Sequence, residues 1–330
     1  MPDLELDLTI ERERLEAVRG GSAVVVDHPA VFQITGPGAL ACLQGLFTND
    51  LDHPGDGSIT YGAMLTPKGM IRVDAWVLRL PGAITLIAPA AGREAVCDIF
   101  QKSLPPRLAK ASDLTGESAV AWVLGANGFH TLVQSGVGTP DAAGRVSRQD
   151  GTGGPLLVAL APDAAPFAAL LSGPGPAVES AVRRVLLAGA LRGEEPDLQA
   201  ARILAGWPAL GAEIEEKTLP QEVRYDEIGG VSYTKGCYTG QETVARIHFR
   251  GHTNRELRGL TWRQPGAPDG RAVLVGEKEV GAVRSTLTVD GRTVGLALLR
   301  REVEPGSGVI AGGRAATVVA LPFGGDELDD

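Results

Sequence analysis

Apolar and polar positions alternate in short runs along the N-terminal third of the chain, and helical spacing interrupts them twice. Residues 22–35, SAVVVDHPAVFQIT, predict two strands separated by a turn. Residues 36–47 carry leucines and a phenylalanine at helical spacing, which predicts a short helix. Residues 59–89 alternate around two proline–glycine turns and indicate a β-meander, after which residues 91–103 predict a helix.

The middle third of the chain contains both strand-type alternation and helix-type spacing. Strands are expected within residues 117–135 and 153–161. Helices are expected at 163–172 and 177–192. A further helix, DLQAARILAG, should stop at its final glycine because a proline follows two residues later.

From residue 257 onward the pattern changes to short β-type runs between glycine, proline and aspartate. The runs are ELRGLTW, RAVLVG, EVGAVRSTLTV, TVGLALLR and AATVVAL. They predict a small C-terminal barrel, and strand runs followed by helix runs make the fold class α+β. We predict three regions, at residues 1–115, 116–250 and 251–330, the last ending in a disordered tail, GGDELDD.

Composition narrows the class of protein. The chain has 330 residues, 44% of them hydrophobic, and a net charge of -9, so packed domains are expected and a basic nucleic-acid-binding face is not. Three cysteines without a CxxC motif fit a reducing, cytoplasmic setting. The longest apolar stretch is broken by prolines and an aspartate, so no membrane partner is expected. Only residues 235–255 are locally basic, which favours an anionic small ligand over RNA.

Two further motifs match functional patterns, but an ordinary structural explanation fits each of them better. GPGALA, residues 36–41, matches a dinucleotide-binding pattern, but Pro37 and the antiparallel elements that follow favour a plain strand–turn–helix. His248 and His252 have the i,i+4 spacing of metal ligands on a helix. Gly251 would interrupt that helix and Arg250 would bring positive charge to the metal, so solvated or pocket-rim histidines are favoured and no permanently bound metal is expected.

One stretch, YTKGCYTGQETVARIHFRGH, is denser in reactive side chains than any other. Cys237 lies there on a glycine-flanked loop just before a predicted helix, whereas Cys42 and Cys97 lie in apolar helical settings and are expected to be structural. A helix N-terminus and the neighbouring Lys235 should favour the thiolate of Cys237. Cys237 is therefore the predicted reactive thiol.

The eight residues KGCYTGQE resemble the signature of the YgfZ family, folate-binding relatives of the glycine-cleavage T-protein, an aminomethyltransferase. The motif residues are Lys235, Gly236, Cys237, Tyr238, Gly240, Gln241 and Glu242. Other stretches are similar to the same family: LQGLFTNDL, YGAMLTPKGMIRVDAWV, ARILAGWPALGAEI, TLPQEV and the C-terminal runs. The resemblance covers residues 20–322.

The resemblance implies a three-domain cloverleaf, with two α+β domains and a C-terminal β-barrel around a central hole that binds tetrahydrofolate. A carboxylate can accept hydrogen bonds from the donor-rich edge of a pterin. The implied cofactor-binding residues are Asp74, Arg202, Gln221, Glu222 and Arg246. For the two arginines an ion pair between domains is an equally open interpretation, and for Asp74 a solvated strand position.

The resemblance also implies a function: a tetrahydrofolate-binding protein that supports assembly or repair of iron–sulfur enzymes, including those that modify tRNA. Its implied partners are folate and iron–sulfur enzymes or assembly proteins, with no direct nucleic-acid contact. The catalytic candidates are Cys237, Lys235 and Asp74. One alternative is a folate-free scaffold whose pocket has decayed. The other is a folate-dependent aminomethyltransferase or methyltransferase. Against it, T-proteins carry paired aspartates where this chain has Val73-Asp74, and they lack the cysteine.

Overall fold

A computed structural model of the chain describes residues 6–151, 153–266, 268–324 and 327–328. The strands are β1 Asp7–Thr9, β2 Ala23–Asp27, β3 Ala30–Thr35, β4 Ser58–Leu65, β5 Ile71–Leu80, β6 Ala83–Ala88, β7 Lys110–Asp113, β8 Ser118–Leu124, β9 Val146–Gly151, β10 Gly154–Leu160, β11 Ala169–Pro174, β12 Leu191–Arg192, β13 Arg255–Trp262, β14 Ala272–Val275, β15 Lys278–Val289, β16 Arg292–Arg300, β17 Gly308–Ala311 and β18 Arg314–Val319. The α-helices are α1 Arg12–Arg19, α2 Ala39–Gln44, α3 Arg93–Ser103, α4 Gly128–Gln134, α5 Gly175–Leu187, α6 Glu195–Leu204 and α7 Gln241–Arg250, with 3₁₀ turns at Ala90–Gly92 and Pro220–Val223.

The strands form three sheets. The first sheet has the order β4-β5-β6-β3-β7, and the second has the order β12-β2-β8-β11-β10-β9. In the third, β15, β14, β17, β18, β13 and β16 pair in turn, and β16 pairs back with β15. That last pairing closes a six-stranded barrel, so no unpaired edge remains among these six strands. The mixed α+β class and the C-terminal barrel are as expected from the sequence.

The N-terminal third folds as the pattern predicts. The meander is β4 to β6, and the two helices are α2 and α3. Both strands of residues 22–35 form, but they enter different sheets: β2 pairs with β8, and β3 pairs with β6 and β7. The proline between them keeps the strands from continuing as one and lets the chain cross from the second sheet to the first.

Two predictions in the middle third are wrong. Residues 163–172 were expected to be helical, but β11 occupies their second half, and its residues Ala169, Leu170 and Leu171 are fully buried. A continuous apolar run is equally compatible with a strand buried on both faces, and Pro166 disfavours the helix. Conversely, the strand expected through residue 135 ends at Leu124, and α4 follows.

Chain segments do not map one to one onto sheets. The N-terminal β1 runs parallel to β15 beside the barrel, and β2 belongs to the second sheet. The region boundaries at residues 115 and 250 stay predictions. The acidic tail lies largely outside the described residues, but Leu328 within it is buried, and its carbonyl accepts a hydrogen bond from Arg12 at 2.9 Å. The expected disorder is therefore wrong at Leu328, which is packed against the protein.

One large apolar cluster draws on all three sheets. It contains Tyr61 and Trp76 from the first sheet, Trp122 from the second and Leu257 and Leu287 from the barrel. Because this core is shared, side chains from distant parts of the sequence meet at the centre of the molecule. None of the helices in the described part of the chain has the length and apolar character needed to span a bilayer.

Candidate functional site

The segment that carries the cysteine is anchored by the turn after α2. The Thr48 hydroxyl donates to the carbonyl of Gly230 at 2.7 Å and accepts from the amide of Ala63 at 2.9 Å. The Asn49 side-chain amide donates to the carbonyls of Tyr61 at 2.8 Å and Gly229 at 2.6 Å. The threonine and asparagine of LFTNDL thus tie the β4 strand to the loop that leads into the motif.

Lys235 extends this anchor. Its ammonium group donates to the carbonyls of Gln44 at 2.8 Å, Phe47 at 2.6 Å and Asn49 at 2.8 Å, at and just beyond the C-terminal end of α2. Burial lowers the pKa of Lys235 to about 8, partly opposed by the charge of Asp50, so the amine is protonated at neutral pH. All three N–H groups are directed at carbonyls, so no donor is left for the thiol of Cys237. Lys235 therefore anchors the loop to the end of α2.

Cys237 lies exposed on the loop that precedes α7. The predicted helix start is confirmed, with Gln241 as the first helical residue and Gly240 before it. Gly240 has φ +84, and a Cβ there would lie 2.6 Å from the Thr66 carbonyl oxygen, whereas Gly236 has open space around it. Among the described residues neither Gln241 nor Glu242 makes a side-chain hydrogen bond, so packing of Gly240 on the 66–70 turn shapes the loop.

Replacing Gly240 by alanine should therefore disturb the cysteine loop directly. We expect the free energy of unfolding to fall by about 1–3 kcal/mol, because the left-handed backbone disfavours a side chain and the Cβ overlaps a carbonyl. Urea denaturation followed by circular dichroism measures the change. Gly236→Ala is the matched control and should change stability by less than about 1 kcal/mol. Equal losses in both variants would contradict this account of the loop.

Asp74 lies on β5 at the centre of the shared core and is only 6% exposed. Its Oδ2 accepts a hydrogen bond from the Tyr61 hydroxyl at 2.9 Å, while Oδ1 is sealed from solvent and has no partner among the described residues. Burial raises the pKa of Asp74 to about 6, although the hydrogen bond from Tyr61 and the charge of Arg202 act in the opposite direction. The solvated strand position is therefore excluded.

Aromatic rings surround this carboxylate. The Tyr61 and Tyr225 hydroxyls lie 3.2 Å apart, and the Trp76 and Trp207 rings stack with centroids 5.6 Å apart and an interplanar angle of 14°. The Tyr61 ring contacts Trp76, Trp207 and Tyr225 at centroid distances of 4.9, 4.7 and 5.5 Å. A flat heterocycle could stack among these rings and present donors to Asp74 only if the rings moved apart.

Arg202 is held by protein partners. Its guanidinium donates to Glu213 Oε2 at 2.8 Å, to the Trp207 carbonyl at 3.2 Å and to the Ser285 hydroxyl at 3.0 Å. Glu213 is fully buried and also accepts from Ser285 at 2.6 Å. Since Ser285 belongs to β15, its hydroxyl joins α6 to the barrel, whereas the ion pair of Arg202 with Glu213 stays within the predicted region 116–250.

The remaining predicted ligands lie outside the aromatic cluster, and two of the three are held by protein partners. Glu222 is buried, accepts from Arg255 at 3.0 and 3.1 Å and also accepts from the Leu219 amide. Gln221 donates to the Tyr233 hydroxyl and the Val244 carbonyl, while its own Oε1 is sealed without a partner. Arg246 is exposed on α7. Asp74 is thus the only predicted ligand with an open acceptor inside the aromatic cluster.

The two histidines of the motif do not share a helix. His248 lies in the last turn of α7, where its Nδ1 is 3.3 Å from Asp226 Oδ2 and its ring stacks on Tyr233 with centroids 3.6 Å apart. Tyr233 donates to the other oxygen of Asp226. His252 lies beyond the helix end. Within the described ranges no group of three or more histidine, cysteine or acidic side chains is placed to hold a metal ion.

Comparisons with known proteins find related sequences and a similar fold. The sequence profile of the GCVT N-terminal domain matches residues 6–137. A tRNA-modifying protein YgfZ from Klebsiella pneumoniae is 28% identical over 298 residues, covering 86% of each chain. The chain is therefore similar to YgfZ proteins over most of its length, and its N-terminal part matches the GCVT N-terminal domain. A tRNA-modifying protein YgfZ from Escherichia coli is 37% identical over 114 residues, which are 33% of this chain and 35% of that protein.

The fold resembles that of a glycine-cleavage T-protein. The aminomethyltransferase T of the glycine cleavage system from Bartonella henselae superposes with a TM-score of 0.80 at 17% identity, over 96% of this chain and 90% of that one. The predicted cloverleaf of two α+β domains and a barrel is confirmed. Within this fold, the aromatic cluster at Asp74 belongs to the apolar core that the three sheets share.

Sequence reasoning missed the aromatic cluster. Tyr61 and Trp76 are cross-strand partners on β4 and β5, and Asp74 pairs with Ala63 two residues away on the same face. A hairpin register drawn from the turn at residues 67–69 would have revealed this half of the cluster. Trp207 and Tyr225 lie in loops far along the chain, and no local sequence pattern predicts their contact with Tyr61.

Proposed function

We propose that the protein binds tetrahydrofolate at the aromatic cluster, with Asp74 accepting hydrogen bonds from the pterin edge. The observation that carries the proposal is the sealed, unpartnered Oδ1 of Asp74. A buried carboxylate oxygen without a hydrogen-bond donor destabilises the folded protein, and a bound ligand can supply that donor. A pterin supplies N–H donors on a flat ring, and Tyr61, Trp76 and Trp207 supply the faces against which such a ring stacks. When bound, the folate would supply one-carbon chemistry.

The second part of the proposal is support of iron–sulfur enzymes through Cys237. Its support is the exposure of the thiol on a loop that Lys235 and Gly240 hold in place. A single cysteine does not hold a stable cluster, which commonly takes four ligands, so the thiol would act together with ligands from a partner enzyme or assembly protein. The relatives named tRNA-modifying proteins are compatible with client enzymes that act on tRNA.

Calorimetric titration with tetrahydrofolate tests the first part. The wild-type protein should bind saturably, and Asp74→Asn should weaken binding at least tenfold, because the amide presents donors and lacks the charge. Quenching of tryptophan fluorescence should accompany binding in both proteins, since Trp76 and Trp207 form the walls. Asp150→Asn, an exposed carboxylate on β9, is the control and should bind as wild type. Absence of saturable binding, or equal affinity in Asp74→Asn, would overturn the folate assignment.

Complementation tests the second part. In cells that lack the protein and show reduced iron–sulfur enzyme activity, wild type and Cys97→Ala should restore that activity, whereas Cys237→Ala should restore less than about a tenth of it. Cys97 is a matched control because it lies exposed on α3, contrary to the buried structural role expected from its apolar setting. Full rescue by Cys237→Ala would remove the thiol from the function.

One observation favours the alternative, a folate-dependent aminomethyltransferase or methyltransferase. A carboxylate whose pKa is about 6 can exchange a proton near neutrality, and Asp74 has that property. In that case purified Cys237→Ala would keep its one-carbon transfer rate, while Asp74→Asn would lose it. Transfer activity in the wild type therefore decides between the two proposals.

A further inference from the structure

A cleft lies between the first and second sheets, away from Asp74. It has a volume of about 380 Å³, within the range of small-molecule pockets. Its apolar walls come from Val31, Leu80, Ala83, Leu114 and Leu157, with three prolines at positions 81, 155 and 174. Neither Asp74 nor any ring of its aromatic cluster lines this space, and no barrel residue does. The cleft is therefore a separate site from the one at Asp74.

Polar side chains face this apolar space in register across neighbouring strands. Gln33 on β3 lies directly opposite Thr85 on β6. On the second sheet, Ser172 of β11 lies opposite Leu157 of β10, and Ser118 of β8 lies opposite the residue at 174. The two sheets thus present an amide and three hydroxyls to one cavity.

These polar groups have no protein partners. Thr85 is 9% exposed and Ser172 is 2% exposed, yet within the described ranges neither side chain makes a hydrogen bond, and the same holds for Gln33. Their polar atoms are not among those sealed from solvent in the described core, so they open into the cleft. Two hydroxyls and an amide that open into an apolar cavity without a protein partner are therefore available to hydrogen-bond a molecule bound there.

The charge of the lining restricts that occupant. Arg148 and Glu117 are the charged residues of the lining, both are exposed, and Arg148 pairs with Asp150 at 3.1 Å. A charged group carried into the cleft would meet no buried counter-charge, which is unfavourable. An amide and hydroxyls, in contrast, can both donate and accept. The lining therefore suits a neutral ring with an amide-type edge.

We propose that the cleft between the first and second sheets binds a neutral, flat heterocycle whose amide-type edge pairs with Gln33, Thr85 and Ser172. The apolar walls contact the ring, and the hydroxyls and amide fix its orientation. This site is independent of the folate proposal, because it shares no lining residue with the Asp74 cluster.

The test uses isoquinolin-1(2H)-one, a neutral bicyclic lactam, as the probe on the full-length protein. Saturation-transfer NMR and calorimetry should show saturable binding at millimolar concentrations or below. Naphthalene, which lacks the edge, and 2-naphthoate, which is charged, should each bind at least tenfold more weakly. The variant Thr85→Val with Ser172→Ala should bind the lactam at least tenfold more weakly, while its urea midpoint stays within error of wild type because no hydrogen bond is removed.

Two further variants locate the site. Ala83→Phe fills the cleft and should abolish binding, whereas Asp74→Asn should leave it unchanged. No saturable binding of the lactam to the wild type would overturn the proposal. So would unchanged binding in the double variant, or loss of binding in Asp74→Asn, which would assign the probe to the aromatic cluster instead.

Discussion

Replacing Lys235 by methionine is expected to lower the free energy of unfolding by about 3 kcal/mol. The substitution keeps most of the buried stem and removes the ammonium group that donates to the carbonyls of Gln44, Phe47 and Asn49. Hydrogen bonds from a charged donor are each worth roughly 1.5–3 kcal/mol, and the desolvation of the buried charge offsets part of their sum. Urea denaturation at pH 7 measures the loss.

The same variant should loosen the loop that carries Cys237. Hydrogen exchange at the amides of residues 229–240 should accelerate relative to the barrel strands, because Lys235 is the charged anchor of that segment. Lys68→Met is the matched control: Lys68 is exposed in the neighbouring turn, so its loss should change stability by less than about 0.5 kcal/mol. If Lys235→Met proved as stable as Lys68→Met, the anchoring role would be wrong.

Asp74→Asn is expected to stabilise the protein by about 2 kcal/mol at pH 8, even as it weakens folate binding. The pKa of Asp74 rises from 3.8 to about 6 on folding. Between these values the native state binds more protons than the unfolded state, so stability falls as pH rises through this window and the full penalty remains above pH 6. A shift of two units corresponds to about 3 kcal/mol, less what the amide loses in its contacts with Tyr61 and Arg202.

The pH dependence provides the check. Denaturation of wild type and Asp74→Asn should show the gain at pH 8 shrinking by more than half at pH 4.5, where the native aspartic acid is already protonated. Asp150→Asn should show no such pH-dependent gain, since its side chain is exposed. A loss of stability in Asp74→Asn at pH 8, or a gain that does not vary with pH, would contradict the burial of an ionised carboxylate. Stabilisation with loss of binding is the pattern expected of a ligand site.

Local patterns predicted most of the helices and strands. Alternation over residues 59–89 predicted the meander, and the glycine-rich loop before QETVARIH predicted both the start of α7 and the placement of Cys237. The error at residues 163–172 arose where an apolar run is compatible with either a buried strand or a helix, and the strand expected through residue 135 ends at Leu124, before α4. Only pairing with β8 and β10 makes Ala169–Pro174 a strand.

The sequence by itself determined the periodicities, the loop that carries the cysteine and the family motifs, because these depend on residues close together in the chain. The tertiary structure decided what the motif residues touch. It directed Lys235 to the end of α2, joined Arg202 to Glu213 and the barrel, and brought Trp207 and Tyr225 to Asp74. Such contacts depend on burial and on the packing of three sheets around one core, and chain-local spacing does not encode them.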